Sequence, residues 1–412
     1  MRLVTDARSR ASSILRSPAI KRCLLLTRAR RGLATGSKSH VLVCPPGAGN
    51  LGDQALVEAF LENVSGPITL VVRDSGDFSI PERERSRVTI ATMPHLIYGR
   101  LPKATRDIGA FKRLLHRALS VSVVGADVMD GAYNFRASAV RSAIVEAASR
   151  RGVPSRVLGF SWNSAPHPVA LKYLKRAARR GVDLYVRDPK SFARAAADGI
   201  PGIHEAADIV FSARTVDDSL AAAERLRFND TTRPLALVNV SGLIRKTQTQ
   251  DLTADYVSVV RHLALSHNVL LVPHVVKTDS DDLLACNEIL GALQACGIEH
   301  IRLLREPLSP ATVRGLCGSA DIVVTGRMHL AVNGFLRGRM PITLATQGKV
   351  EGLMDLFDAG FLCVEPRAGM GEPILTAIRS AEVESRAAQL HAVIDLSAQN
   401  FRGLPTFQRQ AV

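Results

Sequence analysis

From His40 onward, short β-branched runs alternate with Ala/Leu/Arg-rich stretches of helical spacing, and this alternation leaves few folds open. Parallel neighbours need a crossover connection long enough to hold a helix, so the pattern predicts an α/β chain with parallel sheets. Runs near 40–44, 68–73, 121–124, 155–160, 183–187 and 207–211 predict a first doubly wound domain. A helix-like stretch over 217–228 and the polar breaker Asn229-Asp230-Thr231-Thr232-Arg233-Pro234 close it. Runs at 235–240, 269–273, 301–303, 322–325, 342–345 and 361–364 predict a second domain of the same architecture. At 412 residues the chain also exceeds the size at which one core stops growing, so two domains with a cleft between them are expected. The expected division is a basic arm over 1–39, one domain over 40–228, a second over 229–378, and over 379–412 a helix crossing back to the first domain, then a tail.

The net charge of +15 suggests a polyanion binder, but its distribution points elsewhere. Residues 1–38 hold ten Lys or Arg against the single acid Asp6, which is +9 of the total. Such an arm reads as a solvated tail or as a contact for an acidic membrane surface, with an organelle transit peptide as a minor alternative. Aromatics are 5% of the chain, too few for a base-stacking surface, and no nucleic-acid partner is expected. No stretch reaches the run of about 18 apolar residues that spans a bilayer. Six scattered cysteines make no C-x-x-C pair, which points to a reducing compartment and a cytoplasmic protein.

Chemistry concentrates at the ends of the apolar runs. In Val323-Val324-Thr325-Gly326-Arg327-Met328-His329 a strand ends in an arginine and a histidine just before a helical pattern, and Lys349 follows the next run. Ligands of open α/β sheets bind beyond the carboxyl ends of the strands, so these three groups suggest an anion site with a proton donor. Arg187, in Tyr185-Val186-Arg187-Asp188-Pro189, ends another strand, with Asp188 placed to cap the following helix. Arg187 reads as an anion ligand or as one half of a self-satisfied Arg–Asp pair, and Asp208 reads as structural. In Gly47-Ala48-Gly49-Asn50-Leu51-Gly52-Asp53 glycines permit close backbone approach to a helix start, and Asn50 and Asp53 each read as a helix cap or as a functional side chain. Asp279-Ser280-Asp281-Asp282 reads as capping acids rather than a metal site, and no metal is expected. No G-x-S-x-G or P-loop string occurs, which removes serine hydrolases and P-loop NTPases.

Five pieces in this order, Gly49-Asn50-Leu51-Gly52-Asp53, Val186-Arg187-Asp188, Pro273-His274 followed by Asp279, Gly326-Arg327-Met328-His329 and Lys349-Val350-Glu351-Gly352, resemble the polysaccharide pyruvyl transferase family over roughly 40–370. The resemblance implies two Rossmann-like domains in a GT-B-like arrangement, with the acceptor on the N-terminal side and the donor on the C-terminal side. It implies phosphoenolpyruvate as co-substrate with no other cofactor, and as acceptor a sugar of a glycan or lipid-linked precursor in cell-envelope polysaccharide biosynthesis. By it His329 matches the catalytic histidine, Arg187, Arg327 and Lys349 the donor-holding positions, and Asn50 and Asp53 the acceptor-facing loop, with Asp53 a candidate base. Gly125-Ala126-Asp127 and Gly159-Phe160-Ser161-Trp162 depart from the family pattern in the first domain, and so bear on the acceptor. Two other readings stand beside this one: a GT-B-type nucleotide-sugar glycosyltransferase or epimerase, and a noncatalytic glycan- or membrane-binding protein. Action on a membrane-anchored intermediate at the inner face would suit the basic arm.

Overall fold

A computed structural model describes residues 18–28, 37–277, 281–345, 348–381 and 387–407. These form two compact units, one from within 1–46, 63–208 and 399–412, the other from 47–62 and within 209–398. The expected arm thus lies mostly outside the described residues, as does Asp279.

The first unit carries a seven-stranded parallel sheet of β1 (Ser39–Val43), β2 (Ile68–Val72), β3 (Val88–Thr92), β4 (Ala118–Ala126), β5 (Ser155–Phe160), β6 (Asp183–Val186) and β7 (Ile203–Glu205), in the order β3-β2-β1-β4-β5-β6-β7. Its central strands are buried on both faces, and this explains why β1 and β2 read as unbroken apolar runs. The sequence reading missed β3 and β7, which lie at the two edges: β3 is half-exposed, and β7 is only three residues long. The run expected as a strand at 207–211 is instead a buried 3-10 turn, Ile209–Ser212. β7 already closes the sheet just upstream, and Asp208/Ile209 is where the chain leaves the unit.

The second unit has a six-stranded parallel sheet of β8 (Leu235–Val238), β9 (Asn268–Leu271), β10 (Ile301–Leu303), β11 (Ile322–Thr325), β12 (Ile342–Leu344) and β13 (Cys363–Val364), in the order β10-β9-β8-β11-β12-β13. Residues 209–228, grouped by sequence with the first domain, fall here because helix Ser219–Leu226 packs on helix Pro310–Ser319. Helix Leu51–Asn63 also belongs to this unit, although the chain before and after it is in the first. Helix Ala387–Gln399 ends where the chain rejoins the first unit. There Asn400 accepts from the Gly159 amide at 2.8 Å and donates to the Ala207 carbonyl at 2.9 Å, while Arg156 donates to the carbonyls of Asn400 and Arg402. Each fully buried Val or Leu in these layers contributes about 1.5–3 kcal/mol, so the paired cores do not depend on crosslinks. None of the six cysteines forms a disulfide, and no described helix is long and apolar enough to cross a membrane.

Candidate active site

In the second sheet the strand order reverses between β8 and β11, the topological switch point at which open α/β sheets leave a crevice. The segments leaving β8, β9 and β11 there are tied together by one carboxylate. Asp282 is fully buried in the first turn of helix Asp282–Ala295, which Asp281 caps through the amides of Leu283 and Leu284. It accepts from the backbone amides of Gly242 (2.9 Å), His274 (3.1 Å) and Val275 (3.1 Å) and from the Asn239 side chain (2.9 Å). The Arg327 guanidinium completes the set, with Nη2 at 2.5 Å and Nε at 3.1 Å. Burying a carboxylate costs several kcal/mol, and charge-assisted bonds of about 1.5–3 kcal/mol each offset that cost only when there are several, as here. The helix N-terminus favours the same charge.

Arg327 is the residue before helix Met328–Leu336, and its amide donates to Thr325 Oγ1 at 2.9 Å. That bond fixes the sharp exit from β11, while Asp282 fixes the guanidinium. His329 lies in the first turn of the same helix, against helix Leu51–Asn63. A Cβ on Gly52 would stand 2.3 Å from His329 Nδ1, so only glycine lets that helix turn approach the imidazole. Gly49, at φ +72°, does the same for the loop before it: its carbonyl accepts from the Val276 amide at 2.9 Å, and Asn50 bridges Val275. Asn50 proves to be the capping residue, its side-chain oxygen accepting from the Gly52 amide at 3.0 Å. Asp53 lies in the helix's first turn, one residue beyond the glycine that touches His329.

His274, at the exit of β9, is buried, and neither ring nitrogen has a hydrogen-bond partner among the described residues. Burial, then the neighbouring His329 and Arg327, hold its pKa well below the ordinary 6.5, so the ring is neutral. A neutral imidazole offers one donor and one acceptor, which suits a hydroxyl or a water better than it suits a trianion. Lys349 opens helix Lys349–Asp355 just past β12, the strand paired with β11 through Thr325 and Thr343. Arg327 and Lys349 therefore follow adjacent parallel strands at the same sheet edge.

A family model described as polysaccharide pyruvyl transferase matches residues 50–337, from the capping asparagine through the helix that carries His329. The chain belongs to this family. No match was found among curated proteins. Among solved structures the chain is similar to a UDP-GlcNAc 2-epimerase from Methanocaldococcus jannaschii, at 11% identity and a TM-score of 0.54 over 85% of this chain and 94% of that one. It is also similar to a sucrose-phosphate synthase from Thermosynechococcus elongatus, at 12% identity and a TM-score of 0.52 over 89% and 95%. At such identities the likeness shows the fold alone, two Rossmann-like domains of GT-B type.

Of the residues that the pyruvyl transferase resemblance singled out, the second unit brings together Asn50, Asp53, Arg327 and His329, with Lys349 at the start of the helix that follows β12, the strand paired with β11. Arg187 belongs to the first unit. It follows β6, is buried, and donates from Nε to Ser161 Oγ at 2.8 Å and from Nη1 to Asp208 at 2.7 Å. Its neighbour Asp188 caps helix Pro189–Ala197 through the Ser191 amide, as the sequence suggested, so the buried partner is Asp208 instead. In the sequence Asp282 read as a capping acid, His274 stood only within a piece carrying the family resemblance, and Asn239 had no assigned role. A polar residue closely following an apolar run is the signal that Asn239 and His274 offered and Asp282 did not.

Proposed function

We propose that this chain transfers the pyruvyl group of phosphoenolpyruvate to two hydroxyls of a sugar in a glycan or lipid-linked glycan precursor, forming a cyclic ketal. The observation that carries this reading is Arg327, locked onto Asp282 at the switch point with His329 two residues further on. Phosphoenolpyruvate carries close to three negative charges, and Arg327 and Lys349 are the cations set at this edge. Arg187, which the family likeness offers as a third, is held by Asp208 and Ser161 in the first unit and has no part in this reading.

In this mechanism His329 donates a proton to the methylene carbon of the donor as a sugar oxygen bonds to the adjacent carbon. That hydroxyl gives up its proton to a base, for which Asp53 is the candidate. The second hydroxyl then attacks the same carbon and passes its proton to the deprotonated His329, the bond to the phosphate oxygen breaks, and phosphate leaves with the proton held by Asp53. Neutral His274 is suited to orienting a hydroxyl, since it can both donate and accept.

Titration calorimetry with phosphoenolpyruvate and, separately, UDP and UDP-N-acetylglucosamine tests the donor. Saturable binding of phosphoenolpyruvate alone is expected, and binding of the uridine compounds alone would overturn the reading. His329→Ala should keep donor binding and lose about 10²–10⁴ in turnover. Undiminished turnover by the folded variant would remove His329 from the chemistry.

A further inference from the structure

The described residues of the first unit carry a charge excess that the active site does not use. Helix Lys103–Leu115, helix Phe135–Ser149 and helix Pro168–Ala178 all contribute to the unit's main apolar cluster. Phe135–Ser149 is buried from Ala137 to Ala148, because a further helix, Pro18–Thr27, lies over it and also touches Lys103–Leu115. Helix Pro18–Thr27 is outside the segment matched by the family model. The helices Pro18–Thr27, Lys103–Leu115 and Pro168–Ala178 carry two, four and three Lys or Arg respectively, against one acid, Asp107. Asp107 is buried and accepts from the His95 amide, so it does not offset the charge at the surface.

The outward residues are Lys21 on the first helix and Arg28 just past its end, Lys103, Arg106 and Arg113 on the next, and Lys172 beyond. Between Lys21 and Arg28, on the same stripe at the i, i+3 and i+7 positions, stands Leu24, 48% exposed. The corresponding surface helices of the second unit are mixed in sign: Asp255 and Arg261 share one, Glu372 and Arg379 another.

We infer that this helical face docks on an anionic lipid bilayer, with Leu24 entering the headgroup region amid the basic side chains. A surface with no exposed acid on three neighbouring helices complements a uniformly negative plane. The exposed leucine fits a lipid interface, and the scarcity of aromatics gives bases little to stack on. The attraction is Coulombic and must weaken as salt shortens the screening length.

Co-sedimentation of the full chain with phosphatidylcholine vesicles, with and without phosphatidylglycerol, tests the inference independently of any turnover. Wild type should pellet only with the anionic vesicles and be released at high salt. The variant Lys103→Glu/Arg106→Glu/Arg113→Glu should bind at least about tenfold more weakly with an unchanged melting temperature. Unchanged vesicle binding by that variant would move the contact to another part of the chain and overturn the inference. Equal binding to neutral vesicles, no binding at all, or tighter retention on duplex DNA than on vesicles at the same salt would overturn it as well.

Discussion

Arg187 and Arg327 each follow a buried parallel strand and each pair with a buried aspartate, yet the two pairs are built for different work. The Arg187 side chain is 2% exposed, against 11% for Arg327. Arg187 links the residue after β5, Ser161, to Asp208 at the point where the chain leaves its unit. Asp282 accepts from three backbone amides and Asn239 as well as from Arg327. The same residue type at the same place on a strand is thus a girder in one unit and a presented cation in the other. What separates them is how far the guanidinium is covered.

The largest effect expected from this contrast is on folding. Arg187→Ala removes one member of a fully buried pair and should cost about 3–5 kcal/mol. That is a large share of the roughly 5–15 kcal/mol by which domains are stable, and urea unfolding followed in both units would read it. A variant that keeps its midpoint but no longer binds phosphoenolpyruvate would instead make Arg187 a presented cation like Arg327, and the contrast would fail.

Arg327→Ala comes next. The Arg327 side chain is less covered than that of Arg187, so the unfolding midpoint should fall less than in Arg187→Ala. The loss should appear in donor affinity, at about 1.5–3 kcal/mol for one charge-assisted contact. Calorimetry on the two variants side by side measures both quantities, and a reversed order would break the comparison.

How much of this was legible in the sequence follows from range. Runs such as Ile322–Thr325 and Asp183–Val186 announced themselves because inner strands buried on both faces are mostly apolar. The residues just after them, Arg187, Arg327 and His329, could be marked by position alone. Asp282 could not: in Asp281-Asp282 both acids look like caps, and only the folded chain shows that one caps while its neighbour points into a nest of amides. Helix Leu51–Asn63 likewise gave no local sign that it packs in the second unit, because an apolar helix does not name its partner. The close approach of Gly52 to His329 was therefore hidden, although the glycine itself was plain.

The smallest predicted effect sharpens the contrast between the units through pH. His274 is neutral in the fold, its pKa lowered from the ordinary 6.5 first by burial and then by His329 and Arg327. The unfolded chain takes up a proton there below about 6.5 that the folded chain refuses, so the unfolded state binds more protons and stability falls as pH drops through that range. In the first unit His40, lowered by burial and by Arg156, and His167, lowered by burial, contribute with the same sign, so an acid titration of the wild type alone does not separate them. His274→Gln removes one contribution and leaves the others. Below pH 6.5 the wild type should lose stability faster than the variant, by up to about 1.4 kcal/mol for each pH unit. Parallel stability curves from pH 7 to pH 5 would mean that His274 takes up its proton as readily in the fold as out of it, and the neutral imidazole beside Arg327 would have to be given up.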